Sequence, residues 1–255
     1  MPQDRMNAPH AIRIGREGAP WVVFGHGWGR THRDFIPVAE MLAPIAQSLL
    51  IDLPGFGGTP RPDDDWGTDD YAAYLAEHLS LTHGIERFVW VGHSFGGRVG
   101  LRMAAMPVAG LKHLVIVAGA GVPRKRSTWE EIRAKFRSAQ FRRLKAQARD
   151  EEELISLEKR FGSADYIASR TAGLRDIFLR TVAENQTKSA RAIAVPTTLI
   201  YGGRDTETPP EIGRRLHRLI KGSDYIECPD FGHISILDRG RNQIALTVKE
   251  ALGLV

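Results

Sequence analysis

The chain has 255 residues, of which 42% are hydrophobic and 25% charged. This is enough apolar material for a large core, and it excludes an intrinsically disordered chain. One cysteine, Cys228, excludes an internal disulfide, and the net charge of +5 poses the question of an acidic partner.

The first residues, Met1 to Arg5, contain no apolar run and do not read as a signal peptide. No stretch approaches the roughly 20 apolar residues of a membrane span. The expectation is a cytoplasmic protein.

In chain order, short apolar runs occupy residues 21–24, 48–51, 88–91, 113–117, 197–201 and 225–228. Each is short and closed by Gly, Pro, Ala or Asp, as buried parallel strands are. Helical patterns lie between them at residues 68–81, 94–106 and 209–219; the last opens on prolines. This alternation predicts an α/β fold, a mostly parallel sheet with helices on both faces.

The alternation stops at residues 122–189, which read as several helices without a strand. The expected organisation is a core of residues 1–121 and 190–255, with a helical cap or lid inserted at 122–189. Such an insertion falls over the C-terminal ends of the strands, where open α/β sheets bind ligands.

The strongest local signal is Gly92-His93-Ser94-Phe95-Gly96-Gly97, which follows a strand run and opens a helix. A nucleophile on so sharp a turn is held strained and projects into the site, and the close strand–helix passage requires Gly92 and Gly96. The pattern G-x-S-x-G also occurs by chance, and its context here is what counts. A hydroxyl needs a base, and the base needs an orienting acid. Asp205 and His233 follow later strand runs, in loops a rigid sheet can position. Taken singly, Asp205 reads equally well as a turn residue and His233 as a loop histidine. Together with Ser94, in the order Ser, acid, His, they form a candidate catalytic triad.

Glycines in Gly25-His26-Gly27-Trp28-Gly29 let the backbone approach a substrate carbonyl. The amides of Trp28 and Phe95 are the candidate oxyanion donors. His26 reads better as a brace for this loop than as a second base. Gly27, Trp129, Phe136 and Ile234 are candidates for the substrate pocket, although Trp129 and Phe136 could equally dock the cap on the core.

These motifs, with the turn Asp52-Leu53-Pro54-Gly55-Phe56-Gly57 and Gly232-His233, resemble the α/β-hydrolase superfamily from about residue 21 to the C-terminus. The loop and turn look most like small bacterial carboxylesterases, including the pimeloyl-carrier methyl esterase group. The resemblance implies a serine hydrolase working through an acyl-enzyme, with the triad and oxyanion roles just given. The N-terminal strands of the superfamily are expected to be short or missing in this chain. The expected substrate is a small to medium carboxylic ester. The same triad could serve carbon–carbon bond hydrolysis, thioester hydrolysis or acyl transfer, and a non-catalytic binding module is the alternative of another class. No metal or organic cofactor is expected, since the chain lacks a His-Glu-x-x-His pattern and a cysteine cluster.

Residues 122–189 carry 16 Lys and Arg against 10 Asp and Glu, so this segment accounts for the net charge of the whole chain. From Arg124-Lys125-Arg126 onward the cations alternate with Trp129, Ile132, Phe136 and Phe141. The plain reading is a solvated basic face. The functional reading is recruitment of an acidic substrate, carrier or membrane surface. Nucleic acid is not expected, because no recognition motif accompanies the charge.

Overall fold

The computed structural model describes residues 8–106, 110–124 and 127–254. Lys125 and Arg126 of the basic run, and the chain start through Asn7, lie outside the described residues.

Seven strands form one sheet: β1 (Ala11–Gly15), β2 (Trp21–Gly25), β3 (Gln47–Ile51), β4 (Phe88–His93), β5 (Leu111–Val117), β6 (Thr197–Gly202) and β7 (Asp224–Cys228). Their order is β1-β3-β2-β4-β5-β6-β7; β1 runs antiparallel to β3 and all other neighbours are parallel. The six runs read from the sequence are β2 to β7. β1 is the addition. Its Ile12 and Ile14 are only partly buried, with Arg13 between them, so it carries too weak an apolar signal to stand out.

The alternation of side chains along a strand divides the core into two layers. Val23, Leu49, Ile51, Trp90, Leu114, Ile116 and Leu199 face one layer. Val22, Phe24, Leu50, Val89, Val91, Val115, Val117 and Ile200 face the other. The first layer is closed by α2 (Thr68–Leu81), α3 (Phe95–Ala105), α8 (Thr187–Ala192) and α9 (Pro210–Leu219). The second is closed by α1 (Ile36–Leu42), α10 (Ser235–Asp238) and α11 (Arg241–Ala251).

Between β5 and α8 lie α4 (Thr128–Gln147), α5 (Glu151–Phe161), α6 (Ala164–Thr171) and α7 (Arg175–Ala183), with no strand among the described residues. A buried carboxylate ties them together. Glu158 of α5 meets Arg175 at 3.0 Å, Arg170 at 3.3 Å and Lys145 of α4 at 3.6 Å. No described helix is long and apolar enough to cross a membrane.

The chain leaves β2 for β3 on one side and returns to β4 on the other. β2 and β4 therefore lie side by side, with Gly25 opposite Gly92. Where strand order reverses in this way, the loops at the strands' C-terminal ends part and leave a crevice.

Candidate active site

Ser94 stands at this crevice, between β4 and α3, with φ 46° and ψ −101°. A non-glycine residue there stores about 1–3 kcal/mol, which the surroundings must hold in place. The Ser94 amide donates to Val117 O of β5 at 3.0 Å, and the Gly96 amide to His26 O at 2.9 Å. The elbow is tight. A Cβ on Gly96 would lie 2.0 Å from Gly25 O, and one on Gly92 would lie 2.3 Å from Gly96 O. The smallness expected of both positions is required.

Asp205 and His233 come together from the loops after β6 and β7. His233 Nδ1 lies 2.8 Å from Asp205 Oδ2, and both side chains are buried. The other carboxylate oxygen, Oδ1, accepts the amides of Glu207 at 2.8 Å and Thr208 at 2.9 Å. Burial pushes the Asp205 carboxyl up, but His233 and the Thr208 amide and hydroxyl outweigh it, and the net shift is downward. Asp205 is thus held as a carboxylate and His233 Nδ1 as its donor, which leaves Nε2 for chemistry.

Three neighbours of the histidine were not singled out by the sequence: Thr208 and Glu207 lie in no motif, and His93 fills a variable position of the elbow. Thr208 Oγ1 lies 2.8 Å from both Asp205 Oδ2 and Ala118 O, two acceptors for its one proton, and 3.1 Å from His233 Nδ1. The buried His93 ring donates through Nε2 to His233 O at 3.0 Å. Glu207 Oε2 lies 3.5 Å from His233 Nε2. Among the described residues no hydrogen bond joins Ser94 Oγ to His233 Nε2; such links are commonly long before substrate binds. Burial raises the Asp165 carboxyl of α6, and the charge of Glu207 adds to this, with His233 opposing.

The oxyanion candidates come from two elements, the loop after β2 and the start of α3. Phe95 opens α3, and the first amides of a helix have no intrahelical partner. Trp28 is in a turn closed by Arg30 N to Gly27 O at 3.2 Å, with Gly29 at φ 67° as a type II turn requires. That bond runs from the fourth residue to the first, so the Trp28 amide takes no part in it. His26 braces this loop. It accepts the Leu53 amide on Nε2 at 2.9 Å, and its Nδ1 meets Gly27 O at 2.7 Å. Burial lowers its pKa to about 4, so it stays neutral.

The pocket candidates fare unevenly. Gly27 is buried against His93, where a Cβ would lie 2.7 Å from Nδ1; it is a spacer between that ring and the loop. Ile234 is 42% exposed beside His233. Trp129 and Phe136 are corrected: α4 leaves them 76% and 72% exposed, so they line no enclosed pocket. The helix docks instead through Phe141, stacked on Phe161 at 5.4 Å. The aromatic wall beside the elbow is built by Trp28, whose ring lies 4.9 Å from Phe56, 5.2 Å from Phe95 and 5.1 Å from Phe178 of α7. Phe56 belonged to a noted turn, but nothing in the sequence singled out Phe178.

One described cluster has metal-ligating side chains. The ligand atoms of His10, His32 and Asp52 lie within 4.8 Å of one another. The Asp52 carboxylate already faces both imidazoles, at 2.9 and 2.8 Å, and accepts the amides of His32 and Gly58. Its acceptor capacity is met by the protein.

Comparison with known proteins agrees with this architecture. A stretch of 105 residues is 37% identical to the 2-succinyl-6-hydroxy-2,4-cyclohexadiene-1-carboxylate synthase of Escherichia coli O7:K1 (strain IAI39 / ExPEC), covering 41% of this chain and 40% of that one. The match thus spans about two fifths of the length of the curated relative. The enol-lactonase of Burkholderia xenovorans LB400 superposes with a TM-score of 0.70 at 24% identity, over 97% of this chain and 98% of that one. A thermophilic esterase from Thermogutta terrifontis does so with 0.66 at 22% identity, over 95% and 92%. These structural likenesses show the fold alone. The family model described as the alpha/beta hydrolase fold matches residues 20–240, and the chain belongs to that family.

Proposed function

We propose that this chain is a serine hydrolase that cleaves a small to medium carboxylic ester through an acyl-enzyme. One observation carries the reading. The buried Asp205–His233 pair, 2.8 Å apart, is tied through His233 O to the ring of His93, the residue before a serine strained at the head of a helix.

In the proposed cycle His233 Nε2 takes the Ser94 proton as Oγ attacks the ester carbonyl. Negative charge on the carbonyl oxygen is met by the Trp28 and Phe95 amides; one such donor is worth about 3 to 4 kcal/mol. His233 then gives the proton to the departing alcohol. A water, deprotonated by His233, releases the acid and restores Ser94. Asp205 keeps the imidazole in the productive tautomer and stabilises its cation. In this reading helices α4 to α7 act as a cap over the site, with Phe178 of α7 packed 5.1 Å from the Trp28 ring.

The test is a panel of activated esters varied in acyl length and charge, assayed with the wild type and with Ser94→Ala. Turnover by the wild type and its loss in the variant support the reading. A folded wild type that turns over none of the esters contradicts it.

A second reading is favoured by the synthase name of the Escherichia coli relative. In that reading the same base removes a proton from the substrate itself, and Ser94→Ala leaves a measurable part of the rate.

A further inference from the structure

α4 presents an apolar stripe to solvent. Trp129, Ile132 and Phe136 are 76%, 51% and 72% exposed and follow the spacing i, i+3, i+7, which places them on one face of a helix. At about 100° per residue, Phe141, through which α4 docks on α5, lies about 120° round the helix from Trp129. The stripe is therefore a second apolar face, and it is not the one that holds the helix to the protein.

The charge around it is mostly positive. α4 itself carries six Lys and Arg against two Glu. Arg133 and Arg143 fall about 40° to either side of Trp129 by the same helical spacing. Lys135 and Arg142 lie farther round. All four are exposed, and none joins an ion pair among the described residues.

We propose that α4 docks this chain on an anionic lipid surface. The helix lies in the plane of the interface, with Trp129, Ile132 and Phe136 at the headgroup–acyl boundary and the flanking cations on lipid phosphates. Aromatic and aliphatic side chains on one face with Arg and Lys around them are what such a helix requires. α4 has 20 residues but does not have the apolar content to cross a bilayer. A helix face is convex, so a protein partner would need a matching groove, whereas a lipid interface needs no complementary shape. The charge surplus selects anionic over neutral headgroups.

The experiment is flotation of the full chain with two vesicle types, phosphatidylcholine alone and phosphatidylcholine mixed with phosphatidylglycerol, each at low and high salt. The wild type is expected to float with the mixed vesicles and not with the neutral ones, and to be released by salt. Trp129→Ser with Phe136→Ser, and separately Arg133→Glu with Arg143→Glu, should each lower the bound fraction by about tenfold or more. Circular dichroism checks that each variant is folded, and the wild-type salt series decides the electrostatic half even if one is not. No flotation, equal flotation with both vesicle types, or unchanged binding by both folded variants overturns the proposal. Retention on an immobilised acidic acyl-carrier protein without any vesicle binding also overturns it, in favour of a protein partner.

Discussion

Thr208 Oγ1 lies 2.8 Å from both Asp205 Oδ2 and the carbonyl oxygen of Ala118, a residue at φ 48° just past β5, and its one proton is shared between them. One hydroxyl thereby links the acid of the candidate triad to the strand whose Val117 O also holds the Ser94 amide. The acid loop and the nucleophile elbow are referenced to the same strand end.

Removing that hydroxyl should cost rate before it costs binding. Thr208→Val keeps the shape and takes away the contacts to Asp205, Ala118 and His233. Hydrogen bonds to charged groups are worth about 1.5 to 3 kcal/mol, so kcat should fall roughly ten- to hundredfold with KM little changed. Steady-state kinetics on one activated ester measures both. A KM effect without a kcat effect would remove Thr208 from the positioning of His233.

His93 and His26 make stability pH-dependent. Burial lowers their pKa values to about 3 and about 4, from 6.5 in the unfolded chain. Both are neutral in the fold, so the unfolded state takes up protons first as pH falls. The stability they contribute is complete above pH 6.5 and is lost progressively toward pH 4. Each adds a slope of about 1.4 kcal/mol per pH unit over that window. Urea midpoints from pH 8 to 4 should show the decline, and His93→Gln should flatten it.

Gly96→Ala tests how closely helix and strand pass. Its Cβ would meet the backbone oxygen of Gly25 at 2.0 Å, which no side-chain rotation relieves. Overpacking of this kind costs about 1–3 kcal/mol, occasionally more. A drop in melting temperature, or loss of soluble protein, is expected. A variant as stable as the wild type would show that the elbow has slack.

Glu158 joins four helices through Arg170, Arg175 and Lys145. Burial raises its carboxyl, but the two arginines outweigh it and hold it below the ordinary range. Its contribution to stability is present above about pH 4.3, the unfolded value, and is lost as pH falls through the lower folded value. Glu158→Gln should lower stability by about 1 to 3 kcal/mol at neutral pH, because the arginines lose their counter-charge. Protease nicking within residues 122–189 should accelerate. Unchanged nicking would mean that packing alone orders these helices.

What could be read from the sequence follows from where the physics is local. Six strands and the elbow were legible because buried parallel strands are short apolar runs, and because a strand–turn–helix around Ser94 demands glycines at fixed offsets. β1 was not, since an edge strand needs only Ile12 and Ile14 on one face. Thr208 and Glu207 look like ordinary residues, and His93 like a variable position of the elbow, until the loops after β6 and β7 and the end of β4 bring them together at His233. α4 misled for a related reason. Trp129, Ile132 and Phe136 have the spacing of a core-facing stripe, and spacing does not say which of two apolar stripes is buried; Phe141 won through its stack on Phe161.

The central claim is that the hydroxyl of Ser94 is the activated nucleophile. Reaction with a fluorophosphonate, followed by mass spectrometry of the digested protein, tests it most directly. The account predicts one covalent adduct, on the peptide containing Ser94, lost when His233 is replaced by Ala. An adduct on another residue, or none on folded protein, would contradict it.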